Sequence, residues 1–225
     1  MPRVPLLLGA FAPFVAVSGF HLVVKLTGFV ELDRATKGLT IPVLLLGMLA
    51  VLWFGRLVIR PPVLALLVAG LGLSWLGDMT LAFFEVGVVF FLAAHLVYIA
   101  MFHVAFRRRA SWWAIGLVPW YAGLLLALWP FLGDQLVIIA IYGAALAYMA
   151  TSATRGNSLT TIGGALFVAS DSLLAFRMFT PLFQTPPEDT LIMALYLAAQ
   201  FFIVGGVLRT AVPRAPRRKE ALSAA

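Results

Sequence analysis

The sequence predicts an all-α, polytopic membrane bundle of eight transmembrane helices with both termini cytoplasmic. Three observations carry that expectation. Apolar residues make up 63% of the chain and charged ones 11%, against about 25% charged in an ordinary soluble domain. Apolar runs of about 20 residues, the length that spans some 30 Å of hydrocarbon, recur throughout. The basic residues also alternate between loops: Arg3, Arg56, Arg60, Arg107, Arg108, Arg109, Arg155, Arg209, Arg214, Arg217, Arg218 and Lys219 fall on one side, and only Lys25, Arg34, Lys37 and Arg177 on the other. Lys and Arg resist translocation, so the richer side is cytoplasmic, and a count of seven spans spoils the alternation.

Element by element, the first run covers residues 4–26. Arg3 and the small residues Ala16, Ser18 and Gly19 give it some likeness to a signal peptide, but it is longer than a usual signal core and is retained as a span. The second span, 39–57, follows the charged stretch that holds Arg34 and Lys37. Pro61-Pro62 opens the third, 62–84, and the fourth, 86–105, ends before Arg107, Arg108 and Arg109. The fifth, sixth and seventh are 112–131, 135–154 and 158–180. Thr185-Pro186-Pro187 precedes the eighth, 189–211, and Pro213 and Pro216 mark the exit. Residues 1–212 thus read as one bundle domain and 213–225 as a basic cytoplasmic tail held at an anionic membrane surface.

Composition narrows the functional classes. There is no cysteine, which excludes disulfides and thiolate chemistry. The net charge of +7 sits in short loops and the tail, where membrane orientation and anionic lipid explain it better than nucleic acid. The expected partners are membrane lipid, and the expected location is the cell membrane of a bacterium.

Within this apolar background two aspartates stand out, Asp78 and Asp171, each opening the same string, Asp-x-x-Leu-Ala-Phe. An ionisable group in hydrocarbon costs roughly 2.5–3.5 kcal/mol on insertion scales, so such residues usually face a polar cavity and act there. The third and seventh spans run in the same direction and place both acids about 10–14 Å below the outer surface. His95 and Gln200 reach the same layer from the fourth and eighth spans, with Tyr98 and Tyr196 one turn away. Ser74 lies one turn from Asp78 and Ser170 adjoins Asp171, so a hydroxyl is near each acid; Gly70, Gly72, Gly77, Gly163 and Gly164 allow close helix approach. The repeated string hints at a four-span internal repeat, although Leu, Ala and Phe are common enough in membrane helices to recur by chance.

The bland reading is that the two carboxyls lock helices through Ser and Tyr. No Lys or Arg is visible at their depth, which favours a functional site. Arg177 is read as snorkelling to the interface, His21 and His103 as interfacial, and the six tryptophans as aromatic belt. Two acids and a His could ligate metal, but no H-x-x-x-H or comparable spacing is present, so neither a metal nor another cofactor is expected.

The strings Ser74-Trp-Leu-Gly77-Asp78-Met-Thr-Leu81, Ala94-His95-Leu-Val-Tyr98 and Gly164-Ala-Leu-Phe167-Val-Ala-Ser170-Asp171-Ser-Leu-Leu174-Ala175 together resemble the YhhN-type lysoplasmalogenase family of eight-span membrane proteins, as do Thr36-Lys37, Tyr196 and Gln200. Gly38 departs from the Pro expected after Thr-Lys, which puts the shape of that loop in doubt. The resemblance implies hydrolysis of the vinyl-ether bond of a lysoplasmalogen to a fatty aldehyde and a glycerophospho-base. That reaction needs an acid to protonate carbon and an anion beside the resulting oxocarbenium ion. Two carboxyls sharing one proton in a dry pocket supply both, as in paired-carboxylate glycosidases. On this reading Asp78, Asp171 and His95 are catalytic, Tyr98 helps His95 position water or the glycerol hydroxyl, Ser74, Ser170 and Gln200 hydrogen-bond the carboxyls, Tyr196 flanks the substrate, and Lys37 or Arg34 meets the lysophospholipid phosphate at the rim. Two alternatives also use membrane carboxylates: a proton-coupled lipid or small-molecule transporter, and an intramembrane aspartyl protease, whose usual Gly-x-Gly-Asp lacks its first Gly in Trp75-Leu76-Gly77-Asp78.

Overall fold

Hydrocarbon offers no hydrogen bonds to a backbone, so long apolar runs fold as helices that satisfy their own polar groups. The computed structural model, which describes residues 4–214, is almost wholly helical. Its helices are α1 (Val4–Thr27), α2 (Val30–Phe54), α3 (Pro61–Thr80), α4 (Phe84–Ala105), α5 (Leu117–Leu132), α6 (Leu136–Ala153), α7 (Ser158–Phe179) and α8 (Pro186–Leu208). Arg3 and the tail from residue 215 onward lie outside the described residues. Of the tail's first residues, Val212–Pro213 (β2) pair antiparallel with Leu57–Val58 (β1), and the Arg214 amide donates to the Arg56 carbonyl at 2.7 Å.

Seven stretches are long and apolar enough to cross a membrane, one fewer than the sequence predicts. The difference lies in Trp112–Ala153, a continuous apolar stretch of 42 residues that contains both α5 and α6. A single 3-10 turn, Gly133–Gln135, joins the two helices. The 16 residues of α5 rise only about 24 Å, short of a 30 Å core. The surface is apolar where lipid would lie: Trp53, Phe83, Trp112 and Leu126 are all more than two-thirds exposed.

Each helix packs on a neighbour in the order α1, α2, α3, α4, α6, α7, α8, and α8 packs back on α1, closing a ring. α5 stands outside that ring against α6 and α7. This skip, α4 onto α6, decides which side chains meet. The centre is filled by Tyr98, Phe102, Leu67, Leu71, Met149, Phe167 and Ile203, all fully buried.

The second helix starts nine residues before the expected span, so Arg34, Thr36, Lys37 and Gly38 are helical rather than loop. Glu31 and Asp33 occupy its first turn, where acids complement the helix dipole, and Thr36 Oγ1 donates back to the Leu32 carbonyl at 2.7 Å. Charge that reads as a loop is here a helix end at the interface. At the start of α7, Asn157 accepts from the Leu159 and Thr160 amides while Thr160 Oγ1 accepts from the Asn157 amide, a capping box; Asn157 Nδ2 also donates to the Gly206 carbonyl at 2.8 Å.

Four of the five glycines expected at close approaches are so used. A Cβ at Gly70 would run into the Tyr98 ring, one at Gly77 into Phe91, one at Gly163 into Ile203 and one at Gly164 into Ala153, whereas Gly72 faces open space. Gly70→Ala is therefore expected to cost about 1–3 kcal/mol by overpacking, and Gly72→Ala to be neutral or slightly stabilising. Thermal unfolding of the two variants in one detergent checks the contrast.

Candidate active site

Phe179 at the end of α7 packs edge-to-face on Phe84 at the start of α4, ring centroids 5.5 Å apart, which aligns those two helix ends. From that level Asp171 lies eight residues down α7, about 12 Å. Gly77, next to Asp78, packs on Phe91, seven residues or about 10 Å down α4. The two carboxyls therefore lie at similar depth, both buried, and within Coulombic reach of each other.

Their surroundings differ. Asp78 Oδ2 accepts from the Tyr196 hydroxyl at 2.7 Å, and Oδ1 lies 3.2 Å from Lys37 Nζ. The expectation that no cation reaches this layer is thus corrected: the early start of α2 brings Lys37 down onto α3, and the lysine meets Asp78. Asp171 Oδ2 accepts from Tyr142 at 2.5 Å, with His95 Nε2 at 3.8 Å, and no Lys or Arg pairs with it among the described residues. His95 is fully buried between Tyr142 and Phe167, ring centroids 5.1 and 5.0 Å away, and neither ring nitrogen has a hydrogen-bond partner among the described residues.

Two phenylalanines stand between the acids. Phe167 packs edge-on against both Tyr196, on the Asp78 side, and His95, on the Asp171 side. Phe91 touches Tyr196 at 6.0 Å and also lines the cavity that Asp171 faces. That cavity, a narrow space of about 50 Å³, lies among α4, α5, α6 and α7 and the end of α3. Its wall is Leu, Val, Ile, Phe, Met, Ala, Gly and two tyrosines, and Asp171 is its one ionisable acid. Asp78 is not part of that wall, so the cavity does not hold both acids as expected, although they lie at one depth.

Several polar residues take partners other than those expected. Ser170 donates to the Ile192 carbonyl at 3.0 Å rather than to Asp171, because its place on α7 faces α8. Gln200 accepts from Tyr98 at 2.7 Å instead of meeting a carboxyl; its Nε2 and the buried Ser74 Oγ have no hydrogen-bond partner among the described residues. Arg177, read as snorkelling, has protein partners at the helix ends: its Nε is 3.4 Å from Asp189 and it donates to the Phe183 carbonyl at 2.6 Å. His21, read as interfacial, is fully buried within the protein, its Nδ1 2.8 Å from Thr36 Oγ1. Trp75 is no belt residue, since its Nε1 donates to the Gly38 carbonyl at 2.9 Å and ties α3 to α2. Arg34 remains exposed. His103 bonds the Ile99 carbonyl of its own helix.

The residue the sequence reading missed is Tyr142. Its signal was a polar group seven residues into the sixth span, at a depth comparable to the acids, but it pairs with Asp171 only because α6 packs on α7. Among the described residues no three His, Cys, Asp or Glu side chains are grouped to hold a metal ion.

Known proteins give the setting. The chain is 32% identical over 183 residues to the lysoplasmalogenase TMEM86B of Sus scrofa, covering 67% of this chain and 74% of that one. It is 31% identical over 194 residues to the Homo sapiens protein of the same name, covering 72% and 79%. No solved structure matches it. The model of the YhhN family matches residues 32–207, from the first turn of α2 to the last of α8 and through Lys37, Asp78, His95, Tyr142, Asp171 and Tyr196, and the chain belongs to that family.

Proposed function

We propose that the protein is a membrane-embedded hydrolase that cleaves the vinyl-ether bond of a lysoplasmalogen to a fatty aldehyde and glycerophosphoethanolamine or glycerophosphocholine. The names of its relatives support the reaction class, and one observation supports the mechanism: a buried carboxyl with no Lys or Arg partner among the described residues, Asp171, faces an apolar cavity while its neighbour Asp78 is ion-paired with Lys37. Asp171 Oδ2 is taken by Tyr142, and Oδ1 has no hydrogen-bond partner among the described residues.

Asp171 acts as the acid and delivers its proton to the β-carbon of the vinyl ether, leaving an oxocarbenium ion beside the new carboxylate. Water adds to the cation, and the proton it sheds returns to Asp171. The hemiacetal then collapses to aldehyde and glycerol hydroxyl, so one water is consumed and the acid is regenerated. Asp78, held as an ion pair by Lys37 and bonded by Tyr196, lies across Phe91 and Phe167, and the new Asp171 carboxylate is the uncompensated anion that favours the cation. His95, 3.8 Å from Asp171 with both nitrogens unbonded, positions the water. Ser74, Tyr98 and Gln200 line the polar side of the aromatic partition, where glycerol and phosphate groups would lie.

The same reading takes α5 and α6 as separate crossings, which makes eight spans in the cell membrane with both termini cytoplasmic. Tyr121 supports this: it reaches from α5 to the Ala140 carbonyl of α6 at 2.9 Å, as in an antiparallel helix hairpin. The test is aldehyde release by the purified protein in lipid nanodiscs given lysoplasmalogen. Uptake of the lipid into sealed vesicles without product points to a transporter instead.

A further inference from the structure

The cavity among α4, α5, α6 and α7 has no role in the chemistry beyond exposing Asp171, yet it is wider than one water. Protein interiors leave few voids bigger than a water molecule, and this one leaves a narrow space of about 50 Å³, several times the least that one water needs. Apart from Asp171 its wall offers only two tyrosine hydroxyls, both already used: Tyr121 donates to Ala140 and Tyr142 to Asp171. Apart from Asp171, nothing in that wall remains to bind a headgroup. Two other cavities, one between α1 and α2 and one beside α2, β1 and the start of α3, are bordered by exposed Leu46, Trp53 and Phe54, and are where ordinary membrane lipid would lie.

We propose that this cavity is the chamber for the single hydrocarbon chain of the substrate, and that Ala175, Leu128 and Leu146 set the chain it accepts. The inference rests on the hydrolase reading for the identity of the head, but not for the occupancy of the chamber. Ala175 is one helical turn from Asp171 on the same face, so its small side chain leaves the passage beside the acid open. Leu128 and Leu146 are buried and close the chamber from α5 and α6. Tyr121, bonded to Ala140 and lying against Gly143, fixes the spacing of α5 and α6 and so the width of the chamber. Such a chamber selects a one-chain lipid and rejects a two-chain one, whose second tail has nowhere to go.

The test uses the full chain in nanodiscs with a saturated alkyl lysophospholipid carrying a photoreactive diazirine at the chain end, which cannot be hydrolysed as a vinyl ether. The expected result is crosslinking to chamber residues such as Val88, Leu128 and Leu146, competed by single-chain but not by two-chain ether lipid. Labelling confined to the α1–α2 face or spread over the outer surface overturns the proposal. Labelling of the chamber by a protein that releases no aldehyde keeps the chamber and removes the hydrolase reading. In turnover, Ala175→Phe is expected to lower kcat/KM for long chains by about tenfold or more relative to short ones, and Leu146→Ala to move the preference toward longer chains. If both variants retain their labelling and an unchanged chain-length profile, these residues do not set the chain.

Discussion

Asp171→Asn is expected to lower aldehyde release by about 10²–10⁴-fold, the usual contribution of a positioned general acid, while the protein stays folded. Asn is nearly isosteric, keeps an oxygen to accept from Tyr142, and carries no proton acidic enough to transfer to carbon. The cavity and its apolar wall are untouched, so substrate binding should persist and the loss should fall on kcat rather than KM. Asp78→Asn differs in kind: it removes a fixed charge and orphans Lys37, so it should reduce turnover and also loosen α2 from α3. A Tyr142→Phe variant checks the geometry independently. It keeps the acid but frees Oδ2, and a fall in kcat smaller than that of Asp171→Asn is expected.

Lys37→Met should be the most destabilising of the single changes at the site. It leaves the Asp78 carboxylate, whose side chain is 4% exposed, with Tyr196 alone. Removing one partner from a buried ion pair typically costs about 3–5 kcal/mol, because the remaining charge is uncompensated. The double variant Lys37→Met with Asp78→Asn should recover much of that stability without recovering activity. A thermal shift series over the wild type, both singles and the double measures the coupling. Additive losses would show that the pair contributes neither stability nor a defined charge state.

How much of this could be seen in the sequence follows from what hydropathy encodes. Apolar runs and charge breaks placed most helices within a few residues, because the cost of an unbonded backbone in lipid leaves no other choice. Asp78, Asp171 and His95 were visible as ionisable groups where such groups are expensive. What the pattern does not hold is which helices are neighbours. Lys37 was assigned to a loop because charge usually ends a span, yet Thr36 and the acids of the first turn extend α2 past it. Tyr142 and Ser170 depend on α6 and α8 flanking α7, and no local signal fixes that ring order. The expected common pocket failed for the same reason: equal depth is legible from residue counting, whereas Phe91 and Phe167 standing between the two acids is a matter of packing.

The central claim is that, at neutral pH, the pair holds one proton and that Asp171 carries it. Infrared difference spectroscopy of the substrate-free protein at neutral pH measures this most directly through the carbonyl stretch of a protonated carboxyl. The account predicts such a band that persists in Asp78→Asn and disappears in Asp171→Asn. A band that vanishes with Asp78 and survives the loss of Asp171, or no protonated carboxyl at all, would contradict it.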